Sequence, residues 1–257
     1  MRQLLDARNP PRITGVHREY EHAPNKKPVV PFKPTDVMVH RTLFFAHSDI
    51  SAVRATLPPI LRHNCSKFDV LSASLWRCWT VALNHNPDEE VSFMFSVNCR
   101  SRFDPPLPEG YYGNAIAMPM AVTTVGELIN NPLSYAVELV MKAKKEVTEE
   151  YMKSLADLMV LRGRPRFATS LNYMLSDLTR IGLDEVDFGW GKPVYGGPAT
   201  STREVLFTVM AAYLVSKENK QGEKGIVVPV CFPETGMKRY MEELEMMMKT
   251  TKQTNNV

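Results

Sequence analysis

The residues with the clearest chemical potential lie between Leu183 and Pro198, in the run LDEVDFGWGKPVYGGP. Four glycines, two prolines and three aromatics in sixteen positions suit neither a helix nor a plain strand. Gly189 and Gly191 flank Trp190, a placement that serves either backbone angles closed to other residues or packing too close for a Cβ. Asp187 stands between Val186 and Phe188. Its carboxylate must be exposed or paired, because burying it alone costs several kcal/mol. It can act as an acid or base, or it can lock the loop to a distant arginine.

Other residues with reactive side chains form no recognisable constellation. The six histidines, His17, His22, His40, His47, His63 and His85, are not at zinc-ligand spacing from a partner. His47-Ser48-Asp49 contains the residue types of a catalytic triad, but a triad is a spatial arrangement and adjacency in sequence does not supply it. His85, in HNPDEE, is expected to be solvated. Cys65, Cys78, Cys99 and Cys231 form no C-x-x-C pair and are expected to be reduced thiols, mostly in the core, with no metal. G-x-S-x-G, G-x-x-x-x-G-K-[ST], G-x-G-x-x-G and H-E-x-x-H are all missing. Hydrolases with a nucleophile elbow, phosphate-cradling nucleotide folds and zincins therefore lose their usual support.

The elements that must position these residues belong to an ordinary globular chain. It has 257 residues, 44% hydrophobic and 23% charged, which excludes disordered and collagen-like classes. Thirty-one basic and 28 acidic residues are interspersed and leave a net charge of +3, so nothing marks a nucleic-acid surface. No apolar run approaches the roughly 20 residues of a membrane span, and the opening MRQLLDARNPPRITGVHREYE lacks the apolar core of a secretory signal. A cytoplasmic protein is expected.

The first 36 residues are rich in proline (Pro10, Pro11, Pro24, Pro28, Pro31, Pro34) and cannot sustain a long helix or a central strand. Such a segment joins two bodies, so the chain has the look of a fragment. From His40 the pattern turns regular. His40 to Ala46 predicts a strand, and Asp49 caps a helix through Val53 and Leu57 that ends at Pro58-Pro59. Ser66 is the expected N-cap of a helix carrying Phe68, Leu71, Leu75, Trp79 and Leu83. VSFMFSVNC alternates as a half-buried strand would, and NAIAMPMAVTT follows as another, with alanines on one face. Asn131-Pro132 opens a helix predicted to run to about Leu161. Strand composition returns in RPRFATSLNYML, EVLFTVMAAYLV and GIVVPVCF, the last two joined by a hairpin-like NKQGEKG. A helix striped with Met237, Met241, Leu244, Met247 and Met248 closes the chain. Strands and helices mixed without clean alternation predict an α/β fold, a mixed sheet with flanking helices.

DFGWGKP at Asp187 to Pro193 resembles the signature of the BAHD acyltransferases, plant enzymes that move acyl groups from coenzyme A to alcohols or amines. SKFDVLSASLWR (Ser66 to Arg77), NCRSRFDPPLPEGYYGN (Asn98 to Asn114), SDLTRIGLDEV and GIVVPVCFP agree in the same order, as does the opening LLDARNPPR. The resemblance spans nearly the whole chain and is strongest to alcohol acyltransferases of the benzyl alcohol benzoyltransferase type. It implies one of the two domains of the coenzyme A-dependent, chloramphenicol acetyltransferase-like fold. Residues 1–39 then correspond to the crossover between domains and residues 40–257 to the carboxyl-terminal domain.

The family's catalytic His-x-x-x-Asp has no counterpart here; the nearest approaches are His17 with Glu21 and His85 with Glu89. The resemblance therefore implies no catalytic residue in this chain. It implies a structural role for Asp187, Phe188, Gly189, Trp190 and Gly191, with Arg100 or Arg102 as the ionic partner of Asp187 and Trp190 packed under the loop. Ser66, Ser176 and Arg180 are the implied contacts for coenzyme A, Ser66 being equally an ordinary helix cap. Leu178 stands where the family more often has Trp, and Ser74 replaces a frequent histidine. The implied partners are an acyl-CoA co-substrate and an alcohol acceptor, with no nucleic acid, no membrane, and a monomer as the usual state. Two functional readings result. One is an acyl-CoA-dependent O-acyltransferase transferring a benzoyl-like or short acyl group, whose base lies outside this chain and which is inactive without it. The other is a non-catalytic relative that binds coenzyme A or a partner protein.

Overall fold

The computed structural model describes residues 5–21, 36–168, 171–197 and 209–254. Its strands are β1 (Met38–Ala46), β2 (Glu90–Phe95), β3 (Val97–Asn98), β4 (Ile116–Ala117), β5 (Met120–Thr124), β6 (Asn172–Asp177), β7 (Val209–Glu218) and β8 (Lys224–Pro233). Six of them form one sheet in the order β1-β8-β7-β6-β2-β5, and β3 and β4 form a separate ribbon. β6 runs parallel to both of its neighbours, β2 and β7, and every other pairing is antiparallel. The mixed sheet with flanking helices is therefore borne out.

Among the described residues seven α-helices accompany the strands: α1 (His47–Ala55), α2 (Pro59–Asn64), α3 (Lys67–Leu83), α4 (Val125–Asn130), α5 (Leu133–Glu146), α6 (Glu149–Leu161) and α7 (Glu234–Thr254). α3 is the hub, touching α1, α4, α5 and α7. Its Trp76 and Trp79 are wholly buried and lie against the sheet: Trp76 on Phe93 of β2, ring centroids 5.6 Å apart, and Trp79 on Tyr173 of β6, 5.4 Å apart. Phe93 in turn contacts both Phe95 and Tyr173. Aromatic pairs at these spacings add to the stabilisation from apolar area alone. The methionine helix supplies Met237 and Leu244 to the same core.

Several expected elements differ in informative ways. Asp49 lies inside α1 at its third position, reaching back to the N–H of Ala46 at 3.1 Å, so it caps from within rather than preceding the helix. Pro58-Pro59 ends α1 as expected, but Pro59 also opens α2. β2 is buried at every residue from Val91 to Phe95; it is an inner strand of the sheet, and α3 covers the face of Phe93 and Phe95, whereas the strict alternation of VSFMFSVNC reads as a half-buried strand. The ribbon begins beyond Phe95, so VSFMFSVNC is two strands and not one. NAIAMPMAVTT is likewise split into β4 and β5 on either side of Met118-Pro119. Asn131 is not the cap of the next helix, which starts after Pro132. The single helix expected to Leu161 is two, α5 and α6, broken at Val147-Thr148, where the Thr148 hydroxyl accepts from Tyr151 N. The first part of EVLFTVMAAYLV lies outside the described residues; its remainder is β7.

Candidate functional site

The three parallel strands end on the same edge of the sheet. In α/β sheets that edge, with the loops leaving it, is where ligands are held. The three residues implied for coenzyme A, Ser66, Ser176 and Arg180, belong to elements that meet this edge. Ser176 lies near the end of β6, with Arg180 exposed in the turn that follows. Ser96, leaving β2, donates its N–H to Leu175 O at 3.2 Å. Ser66 arrives from the helical side: α3 runs back along β2, and Phe68 in its first turn contacts Phe95 at the end of β2, centroids 5.5 Å apart. After β6, Asp177 turns the chain by accepting from Thr179 N at 2.9 Å and from its hydroxyl at 2.6 Å.

Ser66 is the N-cap of α3, as expected, within a complete capping box. Its hydroxyl accepts from Asp69 N at 3.2 Å and donates to Asp69 Oδ2 at 2.7 Å, while Ser66 N donates to the same oxygen at 2.8 Å. Asp69 is wholly buried, and Lys144 on α5 closes the cluster, its ammonium touching Oδ1, Oδ2 (2.6 Å) and, at 3.4 Å, Ser66 Oγ. The Ser66 hydroxyl proton is thus committed to Asp69. What this helix end can still offer an anion is the N–H groups of Lys67 and Phe68, which the helix leaves unpaired, and the ammonium of Lys144.

The loop at Asp187 holds itself. Oδ1 accepts the N–H of Gly189 at 2.7 Å and of Gly191 at 3.0 Å, and these bonds keep the carboxyl below its usual range. The expected ion pair with Arg100 or Arg102 is not made. Arg100 instead donates to Gly113 O at 2.9 Å and to Asn98 Oδ1 at 3.4 Å, bracing the ribbon. Gly189 and Gly191 adopt φ of +100° and +107°, and nothing lies within 4 Å of where a Cβ would be. Of the two reasons for glycine, backbone angle is therefore the operative one. Trp190 does not pack under the loop; it is 85% exposed and leans on Phe188, itself 75% exposed.

His47, Ser48 and Asp49 form no triad, since Ser48 reaches Glu223 at 3.5 Å and Asp49 serves Ala46. His85 is not freely solvated; it pairs with Glu89 at 3.1 Å. The thiols of Cys65, Cys78, Cys99 and Cys231 are all reduced and buried, and burial pushes Cys78 and Cys99 up. Among the described residues no group of three His, Cys, Asp or Glu could hold a metal ion. No helix among them is long and apolar enough to cross a membrane.

One buried polar network was not anticipated. Residues 5–21, expected to be crossover, run along α6 as a strap. Arg8 reaches Asp157 and Glu150; the N–H groups of Thr14 and Gly15 donate to Ser154 Oγ at 3.0 and 3.1 Å. His17 and Glu19, both buried, contact Ser154 and Tyr151. Glu150, Ser154 and Asp157 recur at helical spacing. That polar stripe was the available signal, running beside the apolar stripe of Tyr151, Leu155 and Leu158.

A profile described as the Transferase family matches residues 2–247. The chain belongs to that family. The resemblance to BAHD acyltransferases is borne out. It is 53% identical over 255 residues to benzyl alcohol O-benzoyltransferase of Petunia hybrida, covering 99% of this chain and 55% of that protein. To alcohol acyltransferase 1 of Actinidia deliciosa it is 46% identical over 249 residues, covering 96% of this chain and 52% of that one. The chain thus spans about half the length of the curated relatives it matches. Vinorine synthase superposes with a TM-score of 0.60 at 20% identity, covering 81% of this chain and 47% of its own. TRI101 of F. graminearum, complexed with coenzyme A and deoxynivalenol, gives 0.65 at 18%, covering 87% and 52%. These likenesses fix the fold as the chloramphenicol acetyltransferase-like one.

Proposed function

We propose that this chain is the carboxyl-terminal domain, residues 40–257, with its crossover, residues 1–39, of an acyl-CoA-dependent O-acyltransferase. The reaction is transfer of a benzoyl-like or short acyl group from coenzyme A to an alcohol, in the cytoplasm and in plant specialised metabolism. The observation that carries this reading is the 53% identity to a benzyl alcohol O-benzoyltransferase along 99% of the chain. In that reaction a general base takes the proton of the alcohol, whose oxygen attacks the thioester carbonyl, and coenzyme A leaves as the thiol. Such a base contributes about 10²–10⁴-fold. No histidine of this chain is followed by Asp four positions later, so the base comes from elsewhere and the chain alone is inactive.

The part assigned to this chain is to hold the co-substrate at the carboxyl edge of β2 and β6. Ser176 and Arg180 belong to the end of β6 and its turn, and the start of α3, packed on Phe95 at the end of β2, adds the open N–H groups of Lys67 and Phe68 and the ammonium of Lys144, which suit a phosphate. Ser66 supports this edge as a cap, its own hydroxyl being engaged. The loop at Asp187 to Gly191 is structural. The assembled enzyme acts as a monomer and has no need of nucleic acid, membrane or metal.

The test is a fusion of this chain behind the amino-terminal half of the Petunia hybrida relative, assayed for thiol release from benzoyl-CoA with benzyl alcohol. Turnover by the fusion, with none from the chain alone, is expected. A folded fusion that binds coenzyme A calorimetrically yet transfers nothing would favour the second reading, a non-catalytic coenzyme A-binding relative. The absence of the His-x-x-x-Asp base is what keeps that reading in play.

A further inference from the structure

The strap carries an arrangement of atoms that neither the sequence motifs nor the proposed reaction accounts for. Ser154 Oγ lies 2.9 Å from His17 Nε2, and His17 Nδ1 lies 3.3 Å from Glu19 Oε1, which also receives the hydroxyl of Tyr151. Serine, imidazole and carboxylate are therefore in the order of a nucleophilic triad. Attack is excluded by the surroundings. Ser154 is 0% exposed and His17 1%, and the serine oxygen already accepts two backbone N–H groups, from Thr14 and Gly15. The arrangement holds the strap and does no chemistry.

Counting donors fixes where the protons are. A hydroxyl has two lone pairs and one proton. The two lone pairs of Ser154 are occupied by Thr14 N and Gly15 N, at 3.0 and 3.1 Å. Its proton must then go to His17, so Nε2 is an acceptor and bears none. Nδ1 carries the ring proton and donates it to Glu19. The imidazole is neutral, in the less common Nδ1–H tautomer, and a chain of bonds runs from the Thr14 and Gly15 amides through Ser154 and His17 to Glu19 and Tyr151. A second proton on the ring would set an N–H against the Ser154 O–H. Ser154 would then face three donors with two lone pairs, and one of the strap amides would lose its acceptor.

We infer that this cluster is a clasp governed by the proton on His17, holding residues 14–19 against α6 while the ring is neutral and releasing them when Nε2 is protonated. The other titratable groups facing the cluster keep their charge through the histidine range. Glu150 and Asp157 on α6 are held below the usual carboxylate range, Glu150 chiefly by the Thr14 hydroxyl and by Arg8. Tyr151 and, beyond β3, Cys99 are pushed up by burial, and Tyr20 is pushed up to about 12. Arg8 and Arg12 stay charged. Glu19 is the remaining group in contact with the ring.

The test uses the whole chain. Nitrogen NMR of His17 at about pH 8 reads the tautomer directly, and amide-exchange protection at Thr14 and Gly15, followed down to about pH 5.5, reads the clasp. Expected are an unprotonated Nε2 at the upper pH and a loss of protection of about tenfold or more on descent, the worth of one to two hydrogen bonds. His17→Gln offers a non-titrating acceptor to Ser154 and should abolish the step, whereas Glu19→Gln should leave a step in place. A proton on Nε2 at pH 8 would overturn the inference without any variant. So would an unchanged step in His17→Gln, or loss of the step in Glu19→Gln with the strap still protected.

Discussion

Arg8 lays its own N–H on Asp157 Oδ1, at 2.7 Å, and its guanidinium Nε on Oδ2, at 2.5 Å, joining two residues 149 positions apart around a carboxylate that is 0% exposed. Burial alone would push that carboxyl up. The N–H of Arg12 at 3.1 Å and the two donors from Arg8 outweigh it and hold the carboxyl below its usual range. A depressed carboxyl contributes stability above its unfolded range and loses it as pH falls through the folded value. Glu149 and Glu150 act in the same sense, with Lys153 and Thr14 as their leading partners. Thermal stability should therefore decline on acidification below about pH 4. Asp157→Asn should lower the melting temperature near neutral pH and flatten that acid slope, as read by melting curves at stepped pH.

Lys144 and Asp69 give a second, independent test. Removing the ammonium while keeping bulk, in Lys144→Met, leaves a wholly buried carboxylate with only the Ser66 donors. Breaking one side of a buried pair costs about 3 kcal/mol. Asp69→Asn in the same chain removes the stranded charge and should recover part of the loss. Urea unfolding of the two single variants and the double variant checks this. Equal additive losses would show the pair to be energetically idle.

Trp190 makes the exposed loop visible in solution. Trp76 and Trp79 are 0% exposed and Trp190 is 85% exposed, so acrylamide should quench one of three emitters readily and the red edge of emission should come from that one. Trp190→Phe should remove the quenchable fraction. Gly191→Ala, placing a Cβ at φ +107°, should cost about 1 kcal/mol of local loop stability and change the Trp190 signal without moving the main unfolding transition.

Among the four thiols, Cys231 should alkylate first under limiting iodoacetamide. It is 6% exposed against 3%, 1% and 0% for Cys65, Cys78 and Cys99, and His40 Nε2, directly across the β1–β8 ladder, lies 3.6 Å from its sulfur. Peptide mass spectrometry after brief labelling identifies the site, and His40→Phe should slow its labelling several-fold.

How much of this could be read from residues alone follows from the range of the forces involved. The Ser66 cap needed only residues three apart, and the aromatic stripe of α3 only helical periodicity; both are local and both are found. The break at Val147-Thr148 was missed because helical periodicity continues in phase across it, while the interruption depends on Thr148 turning its hydroxyl onto Tyr151 N. β2 was misjudged because its burial follows from its being an inner strand, paired with β5 and with β6 80 residues away and covered by α3, and from no property of VSFMF itself. Asp187 satisfies its carboxylate within four residues, a solution available to any Asp followed by glycines, whereas its arginine partner was inferred at long range. The strap was missed for the opposite reason. Prolines forbid regular structure but say nothing of whether a segment docks, and Arg8, His17 and Glu19 find partners only once α6 exists.

Among the described residues, the strap's hydrogen bonds to α6 join groups more than 130 positions apart in sequence, and they do not depend on the covalent path that connects Glu21 to Asp36. A chain nicked once between those residues would therefore keep its first segment as a bound peptide. Its grip would then obey mass action, and the melting temperature of the nicked protein would rise with concentration where that of the intact chain would not.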